Sequence, residues 1–140
     1  MLRDDEIKYP SVKQVEQLHY HVLEMTEERG GYLNKTNLEY VLDAVKEIGE
    51  KSARKQGIIK KAAFLLHNVI VLHPFVNGNK RTAYELARLF VRLNGHDIKT
   101  DEADVYQFMI RVAADKTSVQ DVEKWIATNL SEYHGRVKVE

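Results

Sequence analysis

The sequence predicts an all-α fold, in which a single bundle of six or seven helices surrounds one buried central helix. Apolar residues recur at helical spacing through most of the 140 residues, and capping signals precede several of these segments. Apolar residues make up 44% of the chain, which is enough to form a core. The length fits one domain, residues 1–133, followed by a polar tail at 134–140.

The first two helices are predicted from their capping boxes. Ser11 with Gln14 opens the first helix, which runs until Gly30–Gly31 stops it. Thr36 with Glu39 is predicted to open the second helix. The inward positions of the first helix are Val12, Val15, Leu18, Val22 and Met25. Those of the second are Leu38, Val41, Leu42, Val45 and Ile48.

The central helix is predicted at Ile58–Leu72, which is apolar on nearly all sides. The charged segment before it, Glu50–Gly57, is typical of a loop or a short β-hairpin. Pro74 and Gly78 break the chain after the central helix. The next helix is predicted at about Asn79–Leu93, with Asn94–Gly95 as its C-terminal cap.

Two further helices are predicted near the C-terminus. Asp101 opens one stretch, and Ser118 with Asp121 opens the last helix. Their inward residues are Val105, Phe108, Met109, Val112, Val122, Trp125, Ile126 and Leu130.

Composition excludes several functional classes. Lys plus Arg and Asp plus Glu balance at 21 each, whereas a general nucleic-acid binder carries a basic excess. The chain has no cysteine, so it has no disulfide framework or thiolate metal site. The N-terminal residues lack the apolar core of a signal peptide, and the apolar runs are too short to span a bilayer. We therefore expect a cytoplasmic protein that binds neither nucleic acid nor membrane.

The most informative segment is residues 73–81, His-Pro-Phe-Val-Asn-Gly-Asn-Lys-Arg. Gly78 precedes a predicted helix start, where unpaired amides and the helix dipole favour an anion, and Lys80 and Arg81 add two cations. His73 lies on the entry side of the loop, and an imidazole, with a pKa of about 6.5, can accept a proton at neutral pH. Phe75 is predicted to anchor the loop as an apolar plug. A base beside a phosphate cradle indicates attack of a hydroxyl on a nucleotide phosphorus.

This segment resembles the signature of the Fic/Doc family, His-x-Phe-x-(Asp/Glu)-(Gly/Ala)-Asn-(Gly/Lys)-Arg, and the run from Asn79 to Ala83 resembles its Doc (death-on-curing) branch. The resemblance implies an all-helical fold and ATP-dependent modification of a protein hydroxyl. Fic members mostly transfer AMP to Ser, Thr or Tyr. Doc members transfer the terminal phosphate, arrest translation through an elongation factor, and are usually neutralised by an antitoxin with a disordered tail.

Carried over by position, the resemblance makes His73 the general base and assigns phosphate contacts to the backbone after Gly78 and to Asn79. It assigns neutralisation of phosphate charge to Lys80 and Arg81. It also makes Glu50–Gly57 the flap that aligns the target chain.

Two positions depart from the family pattern. The acidic residue that holds Mg²⁺ in the family is Asn77 here, and a neutral amide oxygen is a weaker ligand for this ion. The second Arg of AMP-transferring members is replaced by Tyr84, which favours phosphate transfer. Three hypotheses follow: a Doc-like kinase, an AMP transferase, and an impaired module that binds a nucleotide or a partner.

Two other sets of residues were considered as candidate sites. His19 and His21 are two positions apart, so they point to different helix faces and are interpreted as surface or boundary residues. A basic cluster beside the predicted flap is a candidate contact for phosphates, for an acidic target or for an antitoxin. It consists of Lys51, Arg54, Lys55, Lys60 and Lys61.

Overall fold

The computed structural model describes residues 6–24 and 26–137, and in this part of the chain it contains six α-helices and a two-stranded antiparallel sheet. The helices are α1 (Val12–Leu23), α2 (Lys35–Ala44), α3 (Arg54–Leu72), α4 (Asn79–Leu93), α5 (Glu102–Ala113) and α6 (Val119–Asn129). The strands are β1 (His96–Ile98) and β2 (Leu130–Glu132). The predicted helical bundle is confirmed.

The central helix of the bundle is α3, which packs against α2, α4, α5 and α6. Leu65, Leu66 and Val69 on this helix have no exposed surface, as expected for a helix surrounded by others. The predicted buried central helix is therefore confirmed, although it begins at Arg54 and not at Ile58.

The early start of α3 shows that the loop or hairpin predicted at Glu50–Gly57 is wrong for its second half. Gly57 lies inside the helix, and its amide donates to the carbonyl of Ala53 at 2.8 Å. The preceding turn packs directly on this glycine, since a Cβ at Gly57 would lie 3.1 Å from the carbonyl oxygen of Gly49. Gly57 is thus needed for a close backbone contact and does not break the helix.

The flap assigned to Glu50–Gly57 is also at the wrong end of the molecule. Helix α3 has 19 residues and is therefore about 28 Å long, and His73 follows its other end. The basic cluster is likewise remote from the loop. Lys61 in that cluster is 1% exposed and donates to Glu50 Oε2 at 2.6 Å, so it is a paired core residue.

The first two helices begin or end at different residues from those predicted. The Ser11–Gln14 capping box is confirmed, but α1 ends at Leu23, before Gly30–Gly31. The hydroxyl and amide of Thr26 both donate to the carbonyl of Leu23 at 3.0 Å, which closes the helix in a turn. Met25, one of the predicted inward positions, lies outside the described residues.

The start of α2 is set by Asn34 and not by the predicted Thr36–Glu39 box. The Asn34 side chain accepts a hydrogen bond from the amide of Asn37, and the Asn34 amide donates to the carbonyl of Pro74 at 2.9 Å. A tertiary contact therefore fixes Asn34 in the extended conformation that a helix cap requires. The last predicted position of the stripe, Ile48, lies beyond a 3₁₀ turn at Val45–Glu47.

The second half of the chain follows the prediction closely, except that α6 ends at Asn129 and Leu130, which was predicted in this helix, begins β2. Helix α4 has the predicted bounds Asn79–Leu93, and the predicted caps Asp101 and Ser118 open α5 and α6. The described part of the tail, residues 134–137, has no helix or strand, and residues 138–140 lie outside the described residues.

The small sheet was not predicted. Strand β1 pairs with β2 so that His96 lies opposite Glu132 and Ile98 opposite Leu130. Buried Asp97 on β1 accepts hydrogen bonds from two arginines of α4, Arg88 and Arg92, at 2.9–3.4 Å. This network fastens β1 to α4, the helix that follows the motif loop.

Candidate functional site

His73 ends α3 in a left-handed backbone conformation. Its φ is 51° and its ψ 59°, and its amide donates to the carbonyl of Val69 at 3.1 Å. Glycine is the usual residue at such a helix end, because a Cβ makes this conformation costly. The His73 side chain is exposed, so the ring is not turned into the core. An exposed imidazole at a strained position is the arrangement expected of a functional residue.

Phe75 holds the loop to the rest of the protein. Its side chain is 1% exposed and is stacked on two aromatic rings, those of His19 at 3.8 Å and Tyr32 at 5.1 Å between centroids. Asn79 closes the loop from the other side. Its Oδ1 accepts from the Phe75 amide at 3.0 Å, and its Nδ2 donates to the Phe75 carbonyl at 2.9 Å. Both polar groups of the Asn79 side chain are thus used to hold the loop.

The segment beside the loop is 31–34. The Leu33 amide donates to the Pro74 carbonyl at 2.8 Å, and the Val76 amide donates to the Gly31 carbonyl at 3.0 Å. Tyr32 therefore faces Phe75 as a non-hydrogen-bonded antiparallel pair. In such a pair, the amide and carbonyl of Tyr32 itself point away from the loop, and neither forms a hydrogen bond with another described residue.

Gly78 lies at the start of α4, where the sequence predicts an anion cradle. It has a φ of 77°, and no side chain caps the amides that follow it. The first amides of a helix have no partner within the helix, so they point outward as donors. A side chain at this position would collide with α1, since a Cβ at Gly78 would lie 3.1 Å from Leu23 Cδ2. Only glycine allows the loop to lie this close to α1 in this conformation.

A cavity of about 330 Å³ opens in front of these amides. One side of the cavity is formed by residues 78–81, which include the exposed cations Lys80 and Arg81. The other side is apolar, with Val105, Met109 and Ile110 of α5. A cationic end joined to an apolar wall fits a ligand with a phosphate group and a planar apolar ring. Neither His73 nor Asn77 is among the described residues that line this cavity.

Arg81 is already paired with acidic side chains. Its two terminal nitrogens donate to both carboxylate oxygens of Glu102, at 2.8 and 3.3 Å, and its Nε lies 3.3 Å from Glu85. The hydrogen bond from Arg81 lowers the pKa of Glu102. Glu102 thus occupies the two-pronged face of the guanidinium that would grip two phosphate oxygens.

Asn77 ties the motif loop to the chain that follows α1. Its Nδ2 donates to the carbonyl of Arg29 at 2.9 Å. The part of the chain that the structure describes has no group of three or more His, Cys, Asp or Glu residues able to hold a metal ion. The side chain at position 77 therefore makes a neutral structural contact at the place where the family pattern has an anionic ligand.

Tyr84 lies where the pattern of AMP-transferring members has a second Arg. Its side chain is 3% exposed and meets Trp125 edge-on, with 6.3 Å between ring centroids. The guanidinium of Arg81 lies 5.6 Å from the centroid of the Tyr84 ring. Position 84 is thus part of the core beneath the cradle and offers no second guanidinium to a phosphate.

His19 is the residue at this site that sequence reasoning missed. It was interpreted as a surface or boundary residue, but it is 4% exposed and lies below the loop. Besides stacking on Phe75, its Nδ1 lies 3.3 Å from Thr82 Oγ1 in the first turns of α4. Its seven-residue spacing from Val12 places it on the same face as the apolar stripe, which was the available signal.

A protein-family model matches more than half of the chain. The model described as the Fic/DOC family matches residues 9–91, which run from just before α1 to near the end of α4. The matched region contains the motif loop, the segment at 31–34 and the start of the cradle. A search of the curated proteins found no match. Among the described residues, no helix is both long and apolar enough to cross a membrane.

Proposed function

Because the chain belongs to the Fic/DOC family, whose members are typically transferases that modify proteins, we propose that it is a Doc-like protein kinase. In this proposal, ATP donates its terminal phosphate to a Ser or Thr hydroxyl of another protein. By resemblance, that protein is a translation factor in the cytoplasm, and the kinase is the toxin of a toxin-antitoxin pair. The antitoxin would be a second protein whose disordered tail folds on binding.

The observation that carries the proposal is the form of the loop between α3 and α4. One short loop exposes the imidazole of His73 at its start and directs the amides after Gly78 into a cationic cavity at its end. Asn79 and Phe75 hold this loop rigidly by hydrogen bonds and stacking. Such preorganisation is the main requirement for catalysis of phosphoryl transfer.

The reaction can be written with these residues. The target oxygen attacks the γ-phosphorus, a new P–O bond forms, the bond from this phosphorus to the bridging oxygen breaks, and ADP leaves. His73 takes the proton of the attacking hydroxyl. The amides after Gly78, with Lys80 and Arg81, offset the negative charge of the phosphates. Asn79 acts in this scheme by holding the loop, and its direct contact with phosphate stays a prediction.

In our proposal, the segment at 31–34 aligns the target chain, which is the role that the resemblance assigned to Glu50–Gly57. The amide and carbonyl of Tyr32 point away from the motif loop, so an extended target chain can add beside them. That position brings a target hydroxyl alongside the loop that carries His73.

AMP transfer is the alternative within the same family. It would break the bond after the α-phosphorus and release pyrophosphate, with the outer phosphates held elsewhere. The replacement of the second Arg by buried Tyr84 argues against it, because no guanidinium is present at that position to hold those phosphates.

The residue at position 77 does not supply the anionic ligand that a protein-bound Mg²⁺ ion would need there. Mg²⁺ prefers anionic oxygen ligands in a near-octahedral arrangement. Asn77 offers a neutral amide whose nitrogen is bound to the Arg29 carbonyl. We therefore assign no step of the reaction to a metal held by this side chain.

The same contact favours a second candidate function, a module that binds a nucleotide or a partner without efficient turnover. The amide of Asn77 fastens the loop to the carbonyl of Arg29 and supplies no charge for metal binding. The cradle and its cavity would then bind a ligand that does not react.

Paired labelling with ATP tests these candidates. The protein is incubated with cell extract and with either γ-labelled or α-labelled ATP, and His73→Asn serves as the control. Label transferred to a protein from the γ position alone supports the kinase, and label from the α position alone replaces it with AMP transfer. Nucleotide binding in calorimetry without either label would support the binding module.

A further inference from the structure

A second cavity, of about 650 Å³, is lined by α1, by the chain that follows it and by Phe75 of the motif loop. It adjoins the cradle cavity, with which it shares Leu23 and Glu28, but it contains none of residues 78–81. Its polar lining comes from three glutamates, two tyrosines and one histidine. These are Glu16, Glu24, Glu28, Tyr20, Tyr32 and His19.

The charge of this cavity is negative. None of its described lining residues is Lys or Arg, and the ammonium of Lys35 lies 4.0 Å from Glu16. Glu16 also accepts a hydrogen bond from the Tyr32 hydroxyl at 2.7 Å. Glu24 is largely exposed and lies 3.3 Å from the exposed ring of His21. Carboxylates beside aromatic rings form a favourable site for an organic cation.

His19 supplies a second and independent observation. Its Nε2 is fully buried and has no hydrogen-bond partner among the described residues. Such an atom is uncommon, because an unpaired buried polar group costs free energy. Burial lowers the pKa of His19, which keeps the ring neutral. When Nδ1–H donates to Thr82, Nε2 has an unpaired lone pair next to Gly30, which lines the same cavity, and a ligand reaches this atom only when the Gly30 segment shifts.

We propose that this cavity binds the guanidinium or ammonium group of a basic side chain on the protein substrate. The part of this inference that concerns a substrate rests on the proposed function. A guanidinium has several donors in one plane, so it can bind carboxylates of the lining while it stacks on a tyrosine. The cavity includes Gly31 and Tyr32 of the segment beside which the target chain is proposed to lie, and Phe75 of the motif loop. A target with a Lys or Arg near the modified hydroxyl therefore fits both surfaces.

The test uses two synthetic peptides and no ATP. One is acetyl-Gly-Thr-Gly-Arg-Gly-amide, and the other has Gln in place of Arg. Binding is measured by calorimetry and by the nitrogen resonances of the His19 ring. We expect only the Arg peptide to bind and to shift the Nε2 resonance. Equal affinity for the two peptides, or no binding of either, would overturn the proposal.

Charge-neutral variants locate the site. Glu24→Gln with Glu28→Gln is expected to weaken binding of the Arg peptide by about tenfold or more, because charge-assisted hydrogen bonds are lost. Glu27→Gln removes a charge from the same segment but not from the cavity lining, so it is the matched control and should bind as the wild type does. Unchanged binding in the double variant would overturn the proposal. Because these assays contain no ATP, they remain informative even if transfer of labelled phosphate fails.

Discussion

The pairing of Arg81 with Glu102 leads to a prediction about nucleotide affinity. Arg81 cannot direct both terminal nitrogens to Glu102 and to a phosphate, so the pair must open when ATP enters the cradle. Replacing Glu102 by Gln keeps the size of the side chain and removes its charge. We expect Glu102→Gln to bind ATP more tightly than the wild type.

The size of the effect follows from the exposure of the pair. The Glu102 side chain is 76% exposed and that of Arg81 44% exposed, so solvent screens their attraction. Exposed ion pairs contribute about 0.2–1 kcal/mol. Removing this competition should therefore lower the dissociation constant of ATP by a factor between about 1.4 and about 5. The loss of a negative charge near the phosphates acts in the same direction.

Calorimetric titration with ATP measures this change, and a double-mutant cycle identifies its cause. In an Arg81→Gln background, Glu102→Gln should change ATP affinity much less, because this background has no Arg81 guanidinium for the second substitution to release. Glu47→Gln, on the remote 3₁₀ turn, is the control for a general change in charge. If Glu102→Gln leaves ATP affinity unchanged or weakens it, Arg81 does not exchange its carboxylate for a phosphate.

Three further predictions concern the loop and its support. His73→Gly should abolish phosphate transfer. Its free energy of unfolding in urea should equal that of the wild type or be up to about 1 kcal/mol higher, because glycine relieves the left-handed strain. A loss of stability above about 2 kcal/mol would mean that the ring is structural. Asn77→Asp should lose about 1 kcal/mol of stability, because the hydrogen bond to the Arg29 carbonyl is lost. In calorimetry, this variant should bind Mg²⁺–ATP more tightly than the wild type does. If the variant binds ATP with the same affinity with and without Mg²⁺, position 77 has no metal role. Burial raises the pKa of Asp97, but hydrogen bonds from two arginines outweigh this and hold it at about 2, against 3.8 for the free side chain. Because the pKa of Asp97 is lower in the folded than in the unfolded protein, the carboxylate contributes about 2 kcal/mol to the free energy of unfolding above pH 4, and this contribution is lost as the pH falls through 2. The stability of Asp97→Asn, measured by urea unfolding at each pH, should therefore fall less steeply in acid than that of the wild type.

The bounds of α4, α5 and α6 could be predicted because each is set by residues within a few positions of its ends. The Ser118 cap and the Asn94–Gly95 stop act through local hydrogen bonds, so the sequence alone identifies them. The start of α2 could not be found this way. Asn34 is selected as its cap by a contact with Pro74, which is distant in the chain.

The segment that lies beside the motif loop could not be predicted from local sequence either. The charged and glycine-containing segment before α3 has the composition of a loop, and nothing local shows that Gly57 serves a packed backbone contact. The segment that does lie beside the motif, 31–34, carries no comparable composition signal. Its place depends on hydrogen bonds to residues forty or more positions away.

The sequence by itself determined the helical class, the buried central helix and the loop that joins an imidazole to a cationic helix start, because helical periodicity, caps and motif spacing are local properties of the chain. Only the tertiary structure decided which of those groups are free to act. It paired Arg81 with Glu102, used Asn79 inside the loop, tied Asn77 to Arg29 and buried His19 beneath Phe75. Hydrogen bonds, ion pairs and burial depend on residues that are distant in sequence and are brought together only when the helices pack.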